Sequence, residues 1–266
     1  MTRGLFWRRT LIVLCGLLVV VTLAWALATA LVWEIWQREP ENDTYEGALP
    51  AVTDVTGVSR TDKRVTAAQK RINVPRLCQY PDLPTGCEAT AAVMVLRYYG
   101  AAVTPEVFAR EWLECSTDFT IYDGLLYGPD PDEQYAGDPF TTASYGCFAG
   151  PIVAAVRAHC DTCTAREVRG EPLAALCETY IDDGKPLLIW ATMNMRPSCD
   201  GKTWLTPARE SFTWPAGEHC LVLVGYDEEA YIFNDPMTGT AVSYPRETVE
   251  RRYEELGRRA VVIAPR

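Results

Sequence analysis

The hydrophobic pattern divides the chain into a long uncharged run, a polar stretch and a body of short alternating segments. Residues 11–33 hold no charged side chain. At about 1.5 Å per residue, a helix of that length crosses a hydrocarbon core of about 30 Å. Arg3, Arg8 and Arg9 precede the run and Glu34 follows it, so residues 1–10 are expected in the cytoplasm and the remainder outside. Ala28-Thr29-Ala30 has the small-x-small form of a cleavage site, but the apolar run is longer than a signal h-region and continues through Leu31, Val32 and Trp33. The expectation is therefore an uncleaved signal-anchor. Cys15 follows Leu14 and not a small residue, so no lipid attachment is expected there. Residues 34–66 are polar, rich in Thr, Asp and Glu, and aperiodic, and they read as a linker. Residues 67–266 form the folded domain.

Within that domain, residues 71–75 predict a strand. Pro81 and Pro84 keep the next segment extended, and Thr85-Gly86-Cys87-Glu88 has the form of a capping box. Thr85 would be the N-cap and Glu88 would reach back to it, opening a helix that runs to Tyr99 and stops at Gly100. Thr104-Pro105-Glu106 opens a second helix over residues 104–113. Residues 115–150, rich in glycine and aromatic side chains and carrying Asp130-Pro131-Asp132-Glu133, read either as a binding loop or as a loop pinned by disulfides. Helices follow at 151–158 and 171–180, then a buried strand at 187–191. Residues 220–226 and 231–234 flank Asp227-Glu228-Glu229-Ala230 and predict a hairpin. A charged helix at 246–256 and a strand at 260–263 close the chain. Helices precede antiparallel strands, an α+β order, and there is no internal repeat.

Length and composition alter this picture little. The chain has 266 residues, 48% of them hydrophobic, enough for one buried domain and an appendage. The formal charge of −10 includes the three N-terminal arginines, so the outer part is more acidic still. That excludes an electrostatic footprint for nucleic acid and disfavours an anionic lipid surface. Cysteine content matters more: Cys78, Cys87, Cys115, Cys147, Cys160, Cys163, Cys177, Cys199 and Cys220 all lie beyond the apolar run. In an oxidising space they are expected to pair, and setting one aside as a free thiol leaves an even number.

The position of Cys87 in the first turn of a helix favours a thiolate, through the unpaired backbone N–H groups and the helix dipole. A nucleophilic cysteine needs a base, and the chain has two histidines, His159 and His219. His219 opens the first strand of the predicted hairpin. With the turn centred near Glu228 it faces about Met237, which puts Asp235 within diagonal reach, whereas a one-residue slip would present Asn234. Either could hold the imidazole in the required tautomer. Cys220 points to the opposite face of the strand. Gln79 could supply an amide N–H to an oxyanion. His159-Cys160-Asp161-Thr162-Cys163 lacks a second CxxC to complete a zinc site and follows a helix where a thioredoxin-like pair would precede one, so a structural role is expected. No cofactor or metal is implied.

Several pieces together resemble the C39-like cysteine peptidases, which have a papain-like fold. They are Val74-Pro75 with Gln79, Leu83-Pro84-Thr85-Gly86-Cys87-Glu88-Ala89, Tyr98-Tyr99-Gly100, Gly137-Asp138-Pro139, Tyr145-Gly146-Cys147, Lys185-Pro186-Leu187, Glu218-His219, Gly225-Tyr226-Asp227 and Asn234-Asp235-Pro236. The resemblance covers residues 72–263. It implies N-terminal helices packed on an antiparallel sheet, with Cys87 as nucleophile, His219 as base, Asp235 as its orienter and Gln79 as oxyanion donor. It also chooses Asp235 over Asn234, which spacing alone leaves open. Unlike the bacteriocin exporters that carry related domains, this chain has no ATP-binding module, places the domain outside the membrane and adds cysteines. The expected function is a membrane-anchored extracellular cysteine peptidase acting on peptides or proteins. The alternatives are a cell-wall amidase or acyltransferase with the same Cys–His chemistry, and a non-catalytic module binding peptides through the aromatic loop near Tyr122 to Tyr135.

Overall fold

The computed structural model describes residues 70–266. The expected cytoplasmic N-terminus, membrane anchor and linker all lie outside the described residues; among the described residues no helix is long and apolar enough to cross a membrane. The described part opens with a two-residue strand, β1 (Lys70–Arg71), and the helix α1 (Cys87–Tyr98). Next comes α2 (Pro105–Val107), which continues as a π turn over Phe108–Trp112. Four short strands follow, β2 (Cys115–Ser116), β3 (Thr120–Tyr122), β4 (Leu125–Tyr127) and β5 (Tyr135–Ala136), before α3 (Ala149–His159). β6 (Cys163–Arg169) leads to α4 (Leu173–Leu176), also extended by a π turn, Cys177–Ile181. The second half holds β7 (Leu187–Thr192), β8 (Cys199–Leu205), β9 (Ser211–Ala216), β10 (Glu218–Tyr226), β11 (Ala230–Asp235) and β12 (Thr240–Pro245). Finally, α5 (Arg246–Glu255) precedes β13 (Arg259–Pro265).

The main sheet runs β12-β11-β10-β7-β13-β6, and each neighbouring pair is antiparallel. β1 extends it beside β10 once β7 has ended, pairing Arg71 with Gly225. β10 and β7 are buried along almost their whole length, which is why Leu187 to Ala191 reads as a continuous apolar run. α1 packs across these two strands. Its residues from Cys87 to Leu96 are all buried, as expected of a helix apolar on every side. A smaller sheet, β3-β4-β8-β9, organises the glycine- and aromatic-rich region, pairing it with a segment 78 residues downstream (β4 Tyr127 with β8 Leu205).

The expected α+β architecture is present, with corrections in detail. The strand expected at 71–75 is confined to β1, although Ile72 N–H still donates to Val224 O at 2.7 Å. β6, β8, β9 and β12 are strands that the hydrophobic pattern does not announce, because each is largely exposed on an edge or on the smaller sheet. The nine described cysteines are all free thiols, contrary to the expected pairing. Six of them are buried (Cys87, Cys147, Cys160, Cys163, Cys177 and Cys220), where cysteine packs as a small apolar side chain.

Candidate functional site

Gly86, not Thr85, caps α1. A Cβ at Gly86 would lie 2.7 Å from Leu83 Cβ, so the chain turns into the helix only because no side chain is there. Thr85 is drawn elsewhere: its hydroxyl donates to Thr141 O at 2.9 Å, and its carbonyl accepts from the Tyr135 hydroxyl at 2.5 Å. Glu88 does not reach back to the cap. It is fully buried, with one carboxylate oxygen accepting from Cys147 N–H at 2.8 Å and the other from the Cys87 thiol at 3.2 Å. The capping box is thus replaced by an interior network, and Cys87 remains the first residue of the helix.

β10 and β11 place the second group. The Asp227 carboxylate ties the turn between them by accepting from Glu229 and Ala230 N–H at 2.9 and 2.8 Å, doing the work of an Asn-Gly turn. A bulge at Val224 then shifts the register, so that Gly225 faces Ile232 but Leu223 faces Phe233 and Val222 faces Asn234. Continued toward the site, that register sets His219 opposite Met237 and on the same face as Asp235. Without the bulge it would share a face with Asn234. His219 Nε2 lies 2.7 Å from Asp235 Oδ1, and both side chains are buried. Oδ1 also accepts from Met237 N–H at 2.8 Å. Asn234 instead donates to Val74 O at 3.0 Å, bracing the extended segment before Gln79.

Gln79 is buried and bound to the same end of the hairpin, its N–H donating to Pro236 O at 2.8 Å. Its side-chain amide donates to Pro84 O at 3.0 Å. Gln79, Cys87 and His219 line one cleft of about 240 Å³, with Tyr145, Trp214 and Met193 among its apolar walls. Sequence reasoning therefore names four residues, Gln79, Cys87, His219 and Asp235, and the fold gathers all of them. His159 lies elsewhere, its ring stacked on Trp112. Cys160 and Cys163 are also apart from the cleft, both against the Thr162 hydroxyl.

Two residues of the neighbourhood escape the sequence reading, Glu88 and Glu218. Glu218 is buried beside Cys87 and Glu88, the three ligand-type atoms lying within 4.8 Å of one another. The spacing would admit a cation, but both Glu88 oxygens already accept protein hydrogen bonds. Glu218 Oε1 is buried without a hydrogen-bond partner, as are Gln79 Oε1 and Asp235 Oδ2 elsewhere in the site. Protons fit these groups better. Burial pushes the Glu88 carboxyl up to about 7, and burial together with Glu88 pushes Glu218 well above the carboxylate range. Burial first, then Glu88 and Glu218, also push the Cys87 thiol up, opposed only in part by the Cys220 backbone amide. The thiolate expected from the helix terminus alone is thus disfavoured at rest. The signal for this was present in the sequence as two acids directly beside the two candidate catalytic residues, Cys87-Glu88 and Glu218-His219.

Comparison with known proteins bears on the family and the fold. The chain is 26% identical over 213 residues to the uncharacterized protein YvpB of Bacillus subtilis (strain 168), covering 79% of this chain and 82% of that protein. A crystal structure from Bacillus anthracis, described provisionally as a C39-like peptidase, superposes with a TM-score of 0.65 at 28% identity, covering 75% of this chain and 99% of that one. The structure of a double glycine motif protease from an AMS/PCAT transporter is more distant, at 20% identity and a TM-score of 0.44, covering 75% of this chain and 99% of that one. The model of the Peptidase_C39 like family matches residues 71–261, most of the described chain, and the chain belongs to that family.

Proposed function

We propose that the protein is a cysteine peptidase whose nucleophile is Cys87. The observation that carries this reading is the convergence of Gln79, Cys87 and His219 on one cleft while Asp235 holds His219 Nε2. With Nε2–H donated to Asp235, the Nδ1 lone pair is the position left to take the thiol proton. The sulfur then attacks a peptide carbonyl and the Gln79 amide stabilises the oxyanion. The imidazolium returns its proton to the leaving amine, and water activated by His219 releases the acid from the thioester.

The substrate class is a peptide or protein segment, in keeping with the aromatic and apolar walls from Tyr145, Trp214 and Met193. We place the catalytic domain on the outer side of the cell membrane, with residues 11–33 as a single-pass anchor. Support for this is the uncharged run and its flanking arginines. Cys87→Ala and His219→Ala are each expected to abolish cleavage of a peptide library, and Gln79→Ala to slow it about 10²- to 10³-fold. Cleavage at the wild-type rate by Cys87→Ala sinks the proposal. Release of amines from wall fragments with no peptide cleaved would move the same chemistry to an amidase.

A non-catalytic binding role draws on a separate observation, the exposed Ile121, Tyr122 and Leu125 of the β3–β4 hairpin. Tyr135 is no part of that surface, being fully buried. Peptide binding that survives Cys87→Ala and is lost on Tyr122→Ala would support this second reading.

A further inference from the structure

Three acids meet at the wall of the cleft, Cys87 and Glu218 in its lining and Glu88 beside them. The Cys87 thiol donates to Glu88 Oε2, Glu88 Oε1 is held by Cys147 N–H, and Glu218 comes within 4.8 Å with one oxygen unpartnered. The segment carrying Cys147 is pressed so close that a Cβ at Gly146 would lie 2.4 Å from Glu88 Oε1. The titratable groups around the carboxyl pair are Cys87 on α1, Cys147 before α3, Cys220 on β10, Tyr135 on β5 and Cys115 on β2, all of them acids. The one base nearby, His219, has its ring committed to Asp235. Two carboxylates so close and buried, with no positive side chain between them, resist ionising together, so the pair holds its last proton well above the ordinary carboxylate range.

We propose that Glu88 is a positioning residue for Cys87 and shares one proton with Glu218: while the pair keeps that proton the sulfur is free to pass its own to His219, and when the pair gives it up the thiol is held on Glu88. A neutral Glu88 can donate O–H to a thiolate, whereas an ionised Glu88 accepts S–H and repels the thiolate that catalysis needs. In the activating step the S–H bond breaks, its proton goes to His219 Nδ1 and the pair's proton stays in place. Burial sets Glu88 near the neutral range, so the changeover falls where it can be followed.

The inference rests on Cys87 as the reactive thiol, and its test reads that thiol without peptide turnover. The folded full-length protein is alkylated with iodoacetamide between about pH 5 and pH 9, bracketing the Glu88 transition, and the peptide containing Cys87 is quantified by mass spectrometry. Glu88→Gln keeps an acceptor for Cys147 N–H and removes the charge. It is expected to react like wild type near pH 5 and about ten-fold faster near pH 8, the equivalent of a one-unit downward shift of the thiol. Glu218→Gln removes the second acid, so Glu88 ionises earlier and Cys87 is expected to react more slowly than wild type near pH 6. Overlay of the Glu88→Gln and wild-type profiles would overturn the proposal, as would faster reaction of Glu218→Gln near pH 6. If Glu88→Gln loosens the fold, seen as labelling of buried Cys220, the Glu218→Gln profile decides alone. If the profiles behave as expected and no peptide is cleaved, the peptidase reading fails and the proton-sharing pair stands.

Discussion

Cys87 reaches its position because of what its neighbours lack or give up. Gly86 has no side chain to strike Leu83, and Glu88 forgoes the helix cap for Cys147 N–H. A buried acid with raised proton affinity also leaves a mark on stability. Glu88 binds its proton up to about pH 7 in the folded chain and to about 4.5, its ordinary value, when unfolded. Between those limits the unfolded state holds fewer protons, so raising the pH lowers stability. The melting temperature is expected to fall from about pH 4.5 toward pH 7, and the Glu88→Gln variant to show a shallower fall. An identical slope in the variant would mean that Glu88 is ionised in the fold. At this scale residue type and spacing singled out Cys87, His219 and Gln79, whereas the choice of Asp235 over Asn234 came from the family resemblance. The sequence was misleading for Glu88, because a capping box and a buried carboxylate are written with the same letters.

At the scale of the elements, the hairpin β10–β11 does the selecting. Its existence was legible from two apolar runs around an acidic turn, whereas the bulge at Val224 was marked only by Gly225 inside the strand, a signal shared with close backbone approach. That single extra residue separates an Asp235 partner from an Asn234 partner. Just beyond it, a Cβ on Gly225 would come within 2.3 Å of Lys70 O, because β1 crosses there to complete the sheet. Gly225→Ala is therefore expected to cost about 1–3 kcal/mol, the usual range for overpacking, in urea unfolding followed by circular dichroism. A loss under half a kilocalorie would show that β1 contributes little to the sheet. The edge strands β6, β9 and β12, and β8 inside the smaller sheet, escaped the pattern for a different reason: half-exposed strands with Lys, Arg, Thr and Ser carry too weak an alternation to be told from loops.

For the whole molecule, the α+β order and the assembly of a cleft from both ends of the chain followed from helices written first and a hairpin written late. Free thiols in place of the expected pairing follow from burial, which uses six cysteines as core residues. The proposed membrane anchor falls beyond the described residues and rests on the sequence alone. The full chain is expected to sediment with membranes and resist extraction by high salt or alkali, while a chain beginning at residue 70, where the described residues start, is expected to be released. Release of the full chain by salt alone would contradict a spanning helix.

The whole functional account turns on one sulfur, and covalent labelling reads it directly. The folded, unreduced protein is treated with one equivalent of a peptide carrying a thiol-directed electrophile, and the modified residue is located by mass spectrometry. The expected result is stoichiometric adduct on Cys87 in the wild type and none in His219→Ala. Equal labelling of both proteins, or an adduct on exposed Cys78 with Cys87 untouched, would contradict it.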